Sequence, residues 1–239
     1  MYALIKQIYD TDIVLSGSWY GRKIRSCLDA YGTNYDFCRL FAADSGGYIL
    51  IYNSTLTADG DLDADELSRF VSAASPVNVE VPQNIRLRLG NDYKEIQKTL
   101  FRCKGGKSSI RYSDVKVNEQ VRDIFPILKE GFGLNDFDMW YVDIMHRIRH
   151  GISDVFAYES TTLTKLFDID DYVFIALVAT AAADRGKGRA RELLYTVCGE
   201  LEKQGKKVYL YARDERVSFY ESIGFEPVGR EIFYEKEGY

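Results

Sequence analysis

An uncharged run, Tyr172-Val173-Phe174-Ile175-Ala176-Leu177-Val178-Ala179, and the segment Arg185-Gly186-Lys187-Gly188-Arg189-Ala190 after it constrain this chain more than any other stretch. The run is rich in β-branched and aromatic residues and short enough for a buried strand, which predicts a central place in a sheet. Beyond Gly188 the period changes: Leu193, Leu194, Val197, Cys198 and Leu201 recur at helical spacing, with Arg191, Glu192, Glu200, Glu202 and Lys203 on the other face. Gly205 is the expected stop. Gly186 and Gly188 stand where the helix begins, so unpaired backbone N–H groups can approach an anion with no Cβ atom in the way. Arg185, Lys187 and Arg189 add positive charge. Because a macrodipole is worth only about 0.3–1 kcal/mol per charge, several donors and cations must act together. The expectation is a phosphate cradle; the hexapeptide alone also fits a solvated turn before a helix.

Two familiar phosphate loops are excluded by spacing. A Walker loop needs glycine five residues before its Gly-Lys, and Gly106-Lys107-Ser108 has Phe101 there. The dinucleotide pattern fails as well, since Arg191 occupies the third-glycine position after Gly186 and Gly188. The net charge of −5 excludes a general nucleic-acid binder but allows a local basic site for a phosphorylated ligand. With 239 residues, 46% of them hydrophobic, the chain can bury a substantial core in one large or two smaller domains. No apolar run reaches membrane-spanning length, and Met1-Tyr2-Ala3-Leu4-Ile5-Lys6 lacks the basic start and long apolar core of a signal peptide, so the expected location is the cytoplasm, away from any membrane. Cys27, Cys38, Cys103 and Cys198 show neither metal spacing nor a disulfide framework. Without secretion, the glycosylation triplet Asn53-Ser54-Thr55 has no consequence.

Along the chain, Trp19 to Tyr31 reads as a helix, Tyr48 to Tyr52 as a strand and Val77 to Val81 as another. The acidic run Asp59 to Glu66 has Ala64 where a calcium loop needs glycine and Phe70 where it needs glutamate, so it is read as the entry to a helix carrying Leu67, Phe70 and Val71 inward. Cys103 to Ser109 is small, polar and flexible in composition, which predicts a linker between domains 1–105 and 110–239. A strand is expected at Ile110 to Tyr112, then a helix over Val121 to Leu128 that Pro126 bends and Gly131 ends. Asp136 caps the next helix, with Trp140, Tyr141, Ile144 and Ile148 inward and Gly151 past its end. His146 and His150 lie four apart on it, but Arg147 stands where a zinc protease needs glutamate and no third ligand is in view, so no metal is expected. Two strands flank the turn Glu159-Ser160 before the opening strand and helix. After them come a strand at Lys206 to Ala212, a short helix capped by Asp214 and stopped at Gly224-Phe225, and closing strands at Pro227-Val228 and Ile232 to Tyr234.

The order strand, Arg-x-x-Gly-x-Ala loop, helix, strand and Phe219-Tyr220-Glu221-Ser222-Ile223-Gly224-Phe225 resembles the GNAT family of N-acetyltransferases over residues 110–239. Arg185, Gly188 and Ala190 match its loop; Tyr220, Gly224 and Phe225 match its late Tyr-x-x-x-Gly-Phe element. The resemblance implies an α+β (α/β) fold: a mixed, mostly antiparallel central sheet flanked by helices, with an additional N-terminal α/β domain. The strand-helix-strand order from Tyr48 to Val81 hints that this domain is a degenerate copy of the same fold. It lacks the cradle loop, so it should not bind the cofactor; its role would be on the substrate side or in a homodimer.

The resemblance further implies that the backbone of Arg185, Gly186, Lys187, Gly188, Arg189 and Ala190 holds the acetyl-CoA pyrophosphate. Val178, Ala179 and Thr180 would splay from the neighbouring strand to bind the pantetheine, and a primary amine of a small molecule or protein would attack the thioester directly. Tyr220 takes the position of the general acid; a phenol with a pKa near 10 donates to a thiolate whose acid lies near 8.5, uphill by roughly 1.5 units. Packed at a helix end, Tyr220 is also explained as a plain core aromatic. Arg189 replaces the usual small apolar residue, Ala182 stands where proline is common, and Asp214, in the cofactor-binding set, occupies a place often held by Asn. Glu159, Asp170 and Asp171 are the candidate bases for the protonated amine, Glu159 being the one carried forward, and each is more simply read as a solvated turn residue. The alternative to an acyltransferase is a non-catalytic acyl-CoA sensor or interaction module.

Overall fold

The computed structural model describes residues 5–238; the sequence Met1-Tyr2-Ala3-Leu4, read above for a leader, lies outside them. The strands are β1 (Ile5–Ile8), β2 (Cys38–Ala43), β3 (Tyr48–Tyr52), β4 (Thr55–Asp59), β5 (Asn78–Glu80), β6 (Tyr93–Cys103), β7 (Lys116–Val117), β8 (Asp154–Tyr158), β9 (Thr161–Ile169), β10 (Tyr172–Thr180), β11 (Lys207–Arg213) and β12 (Glu226–Lys236). The helices are α1 (Trp19–Tyr31), α2 (Ala64–Ala74), α3 (Phe125–Phe132), α4 (Phe137–Arg149), α5 (Arg189–Lys203) and α6 (Asp214–Ser222). Two compact units result, one taking the residues up to Lys98 with those from Arg230 onward, the other Thr99–Gly229.

Both units repeat one pattern. In the first, β1 and α1 precede the antiparallel β2-β3-β4, then α2 crosses over to β5, which pairs parallel with β4. In the second, β7, α3 and α4 precede the antiparallel β8-β9-β10, and α5 crosses over to β11, parallel to β10. Beyond β5 the first unit is completed by β12, whose Phe233, Tyr234 and Glu235 face Glu80, Val79 and Asn78. The tail of the chain therefore supplies a strand to the first unit, and β12 is one strand where a closing pair was expected.

Apolar faces explain the layers. Val173 and Ile175 of β10 and Val208 and Leu210 of β11 bury against Leu193, Leu194, Val197 and Cys198 of α5. On the second unit's other apolar cluster, Val155, Ala157 and Ala179 meet Leu128 of α3 and Ile144 of α4. In the first unit Ile49, Ile51, Leu56 and Val79 pack on Leu67 and Val71 of α2. Losing a buried leucine such as Leu193 removes about 2–5 kcal/mol.

Several local expectations change. The residues 103–109 are no linker: Gly105 N–H donates to Glu202 Oε2 at 2.8 Å, and Ser108 Oγ and Ser109 Oγ each donate to Glu192 Oε2 at 3.0 Å, so the segment straps α5. A Cβ on Gly105 would come within 2.5 Å of Gly199 Cα; two glycines opposite each other let strap and helix touch, and a composition that suits flexibility equally suits this close approach. The strand expected at 110–112 is instead a 3-10 turn over Tyr112–Asp114, with β7 following at Lys116. Pro126 opens α3 rather than bending it, because its missing N–H costs nothing in a first turn, and Gly133 at φ 69°, not Gly131, ends it. Asp214 is the first residue of α6, whose N-cap is Arg213.

Candidate functional site

Strands β10 and β11 pair only through Tyr172, Val173 and Phe174 with Lys207, Val208 and Tyr209. Ile175–Thr180 and Leu210–Arg213 run on without pairing to each other, which leaves the backbone groups between them open. Leu177 lies in the left-handed region at φ 52°, inside a register shift between Ala176 and Ala179 against β9. For a γ-branched residue this is a costly conformation, and a bulge of this kind re-aims a strand. Val178 packs toward the α5 side and Ala179 toward α3, while Thr180 Oγ1 lies 2.9 Å from Thr161 Oγ1.

After Thr180 the chain makes a 3-10 turn over Ala182–Asp184 and enters α5 through Gly186 at φ 78° and Gly188 at φ 79°. Gly188 is the N-cap and provides no side-chain cap; the first N–H returned to it is that of Glu192, at 3.1 Å. Among the described residues the N–H groups of Gly186, Lys187, Gly188, Arg189, Ala190 and Arg191 donate to no protein acceptor. A run of N–H donors without protein acceptors, leading into a helix start, fits an anion such as a pyrophosphate. The cations around them are not free charges. Arg185 Nε donates to Thr180 O at 3.0 Å, Lys187 pairs with Asp184 at 2.7 Å, and Arg189 pairs with Glu159 and, at 3.6 Å, with Asp184. The Lys187 hydrogen bond, then that of Ser160, holds the Asp184 carboxyl below its ordinary range.

Tyr220 sits almost wholly buried on α6, with ring centroids 5.6 Å from Phe101 and 6.0 Å from Phe225. Burial above all, then the neighbouring Cys103, pushes its phenol well up from 10. Its hydroxyl makes no hydrogen bond among the described residues. Asp214 begins the same helix at the end of β11.

The carboxylates proposed as bases separate. Glu159, at φ 49° in the β8–β9 corner, is tied to Arg189 at the helix start. Asp170 and Asp171 lie at the opposite end of β10, where Asp170 O accepts from Lys206 and Asp171 pairs with Lys207 at 2.6 Å. At about 3.3 Å per residue, the strand carries them away from the loop. His146 and His150 bring their rings to 4.3 Å at the end of α4, and among the described residues no group of three or more His, Cys, Asp or Glu gathers for a metal. The sequence reading missed Glu130 of α3, which accepts from Ala182 N–H at 2.8 Å; a lone glutamate 52 residues upstream in sequence carries no signal of that contact.

The first unit differs at the corresponding place. Between β4 and α2 its loop is Gly60-Asp61-Leu62-Asp63, and Asp63 caps the helix by accepting from Glu66 N–H at 2.7 Å. Asp59 takes the Ser16 N–H at 2.8 Å and the Ser18 hydroxyl at 2.7 Å. A helix start answered by its own carboxylate, with Asp65 and Glu66 in the first turn, repels a phosphate. No helix among the described residues is long and apolar enough to cross a membrane.

Residues 135–238 match the family model described as acetyltransferase (GNAT) domain. A GCN5-related N-acetyltransferase from Sphaerobacter thermophilus aligns with a TM-score of 0.59 at 15% identity, covering 90% of this chain and 85% of that one. A tandem GNAT protein from the clavulanic acid biosynthesis pathway gives 0.57 at 9% identity over 98% of each chain, and a GNAT-family acetyltransferase from Colwellia psychrerythraea 0.55 at 11% over 98% and 99%. A search of the curated proteins found no match by sequence. At these identities the structures speak for the fold, and the tandem protein extends it over the first unit as a second GNAT-like half. The family match, the shared fold and the open helix start after a splayed strand agree: residues 135–238 match the GNAT acetyltransferase domain, within a chain whose fold is that of GNAT proteins.

Proposed function

We propose that the chain is an acetyl-CoA-dependent N-acetyltransferase that moves an acetyl group onto a primary amine of a small molecule or protein by direct attack on the thioester. The observation that carries this reading is the row of unanswered N–H groups from Gly186 to Arg191 at the end of the splayed β10. Acetyl-CoA supplies the activated acyl group. Gly186, Lys187, Gly188, Arg189 and Ala190 hold the pyrophosphate through the backbone, and the open edge at Val178, Ala179 and Thr180 orients the pantetheine. Tyr220 donates the proton that the departing thiolate takes up; burial keeps the phenol protonated and also makes it a weaker acid, so the transfer relies on its position beside the thiolate rather than on its acidity. Asp214 stands at the head of the helix that carries Tyr220 and borders the cofactor. Glu159 serves to hold Arg189.

A second reading, an acyl-CoA sensor without turnover, draws support from the same Glu159–Arg189 pair, which engages the candidate base with a cation at the helix start. Thiol release from acetyl-CoA, followed over a panel of lysine peptides, polyamines and aminoglycosides with wild type and Tyr220→Phe, separates the two. Amine-dependent release that Tyr220→Phe suppresses supports the enzyme. Binding without release above hydrolysis supports the sensor.

A further inference from the structure

The turn that delivers β10 to the cradle is held from outside. Ala182 is the first residue of a 3-10 turn, so its N–H has no partner within the turn. Glu130 on α3 takes that N–H at 2.8 Å and lies 3.9 Å from Arg185 Nη2 with the same oxygen. Arg185 in turn bonds Thr180 O through Nε, and Ala181 N–H bonds Ser160 O at 2.9 Å. One carboxylate therefore touches both ends of the turn between the splayed strand and the first glycine. α3 itself is seated on the strand, since a Cβ at Gly131 would meet Ala179 Cβ at 3.2 Å.

We infer that Glu130 is a positioning residue for acyl-CoA: it latches the turn Ala182–Arg185 so that the N–H groups beyond it converge on the pyrophosphate. This rests on the reading of the loop as the cofactor site. The latch does the work that a proline at position 182 would do through its fixed φ. Ala181, at φ −53° and ψ 140°, already has the backbone a following proline requires, and the first position of a turn suits proline.

Calorimetry with acetyl-CoA and hydrogen exchange at the Ala182 amide, both on the full chain, test it. Glu130→Ala weakens binding roughly tenfold, the scale of one lost charge-assisted hydrogen bond, and speeds Ala182 exchange in the absence of cofactor. Glu130→Gln, which keeps an acceptor for Ala182 N–H, stays within about threefold of wild type. Glu130→Ala/Ala182→Pro regains most of the lost affinity, which a merely structural glutamate would not permit. Unchanged Ala182 exchange in Glu130→Ala overturns the latch, and so does failure of the proline to restore binding in a folded variant. A wild type that binds no acetyl-CoA, with Ala182 exchange still accelerated in Glu130→Ala, overturns the cofactor reading and leaves the latch in place.

Discussion

Tyr220 is placed where one side chain would have to answer two demands. Its ring fills a gap between Phe101 and Phe225, as an ordinary core aromatic would, while its hydroxyl is left without a hydrogen-bond partner among the described residues. Tyr220→Phe keeps the ring, so acetyl-CoA affinity and melting temperature should hold while kcat falls by about 10²–10⁴, the usual scale of general-acid loss. Normal turnover in that variant would remove the role. The pKa direction gives a second test. Because burial raises the phenol above 10, it stays protonated through the range where a free tyrosine ionises, so kcat should show no falling limb from this group up to pH 10. A limb near 10 that vanishes in Tyr220→Phe would contradict the burial argument. Its spacing to Gly224-Phe225 marks Tyr220 in the sequence, but the direction of its pKa depends on burial against Phe101 and on Cys103, more than a hundred residues earlier.

Among the elements, the β10–loop–α5 unit was readable because composition, period and glycine placement all point one way. Gly188 takes φ 79°, where any branched side chain is strained, and the nearest atom to an added Cβ is the mobile Arg191 guanidinium at 3.5 Å. Gly188→Val should therefore weaken acetyl-CoA binding through backbone distortion and obstruction of the donors, measured by calorimetry on a variant shown to be folded; wild-type affinity would reject the placement. The glycines of the strap behave differently. Gly105→Ala drives a methyl into Gly199, backbone against backbone, and should cost about 1–3 kcal/mol of stability in a denaturant titration while leaving the cradle's sequence intact. A stability equal to wild type would mean the strap is free to lift. Its linker-like composition hid this role, because Gly, Ser and Lys suit a mobile chain and a close-packed one alike.

At the scale of the molecule, the repeated order of strands and helices appears twice, but among the described residues the helix start of the second copy is left without a side-chain cap while that of the first is capped. The first closes its own with Asp63 and surrounds it with acid, so a chain with the second loop inactivated should retain no acetyl-CoA binding in calorimetry. The boundary expected at 103–109 gave way to one at Lys98 and Arg230, and the return of the tail is the reason. Phe233 and Tyr234 are buried in the first unit, and Tyr234 OH accepts from Leu87 N–H at 3.1 Å. Truncation after Gly229 should accordingly loosen the first unit, seen as faster amide exchange in β4 and β5. Exchange unchanged there would show that β12 contributes little.

Local signals sufficed for the buried strand, the period of α5, the acidic entry to α2 and the capping of α4, since each rests on neighbours within a few residues. Tertiary structure decided which carboxylate serves which purpose. Glu159 went to Arg189 and Glu130 to Ala182, because ion pairs and hydrogen bonds form across whatever distance in sequence the fold closes. The same closure turned a predicted linker into a strap and gave the last strand to the first unit, where the unpaired edge of β5 could take it.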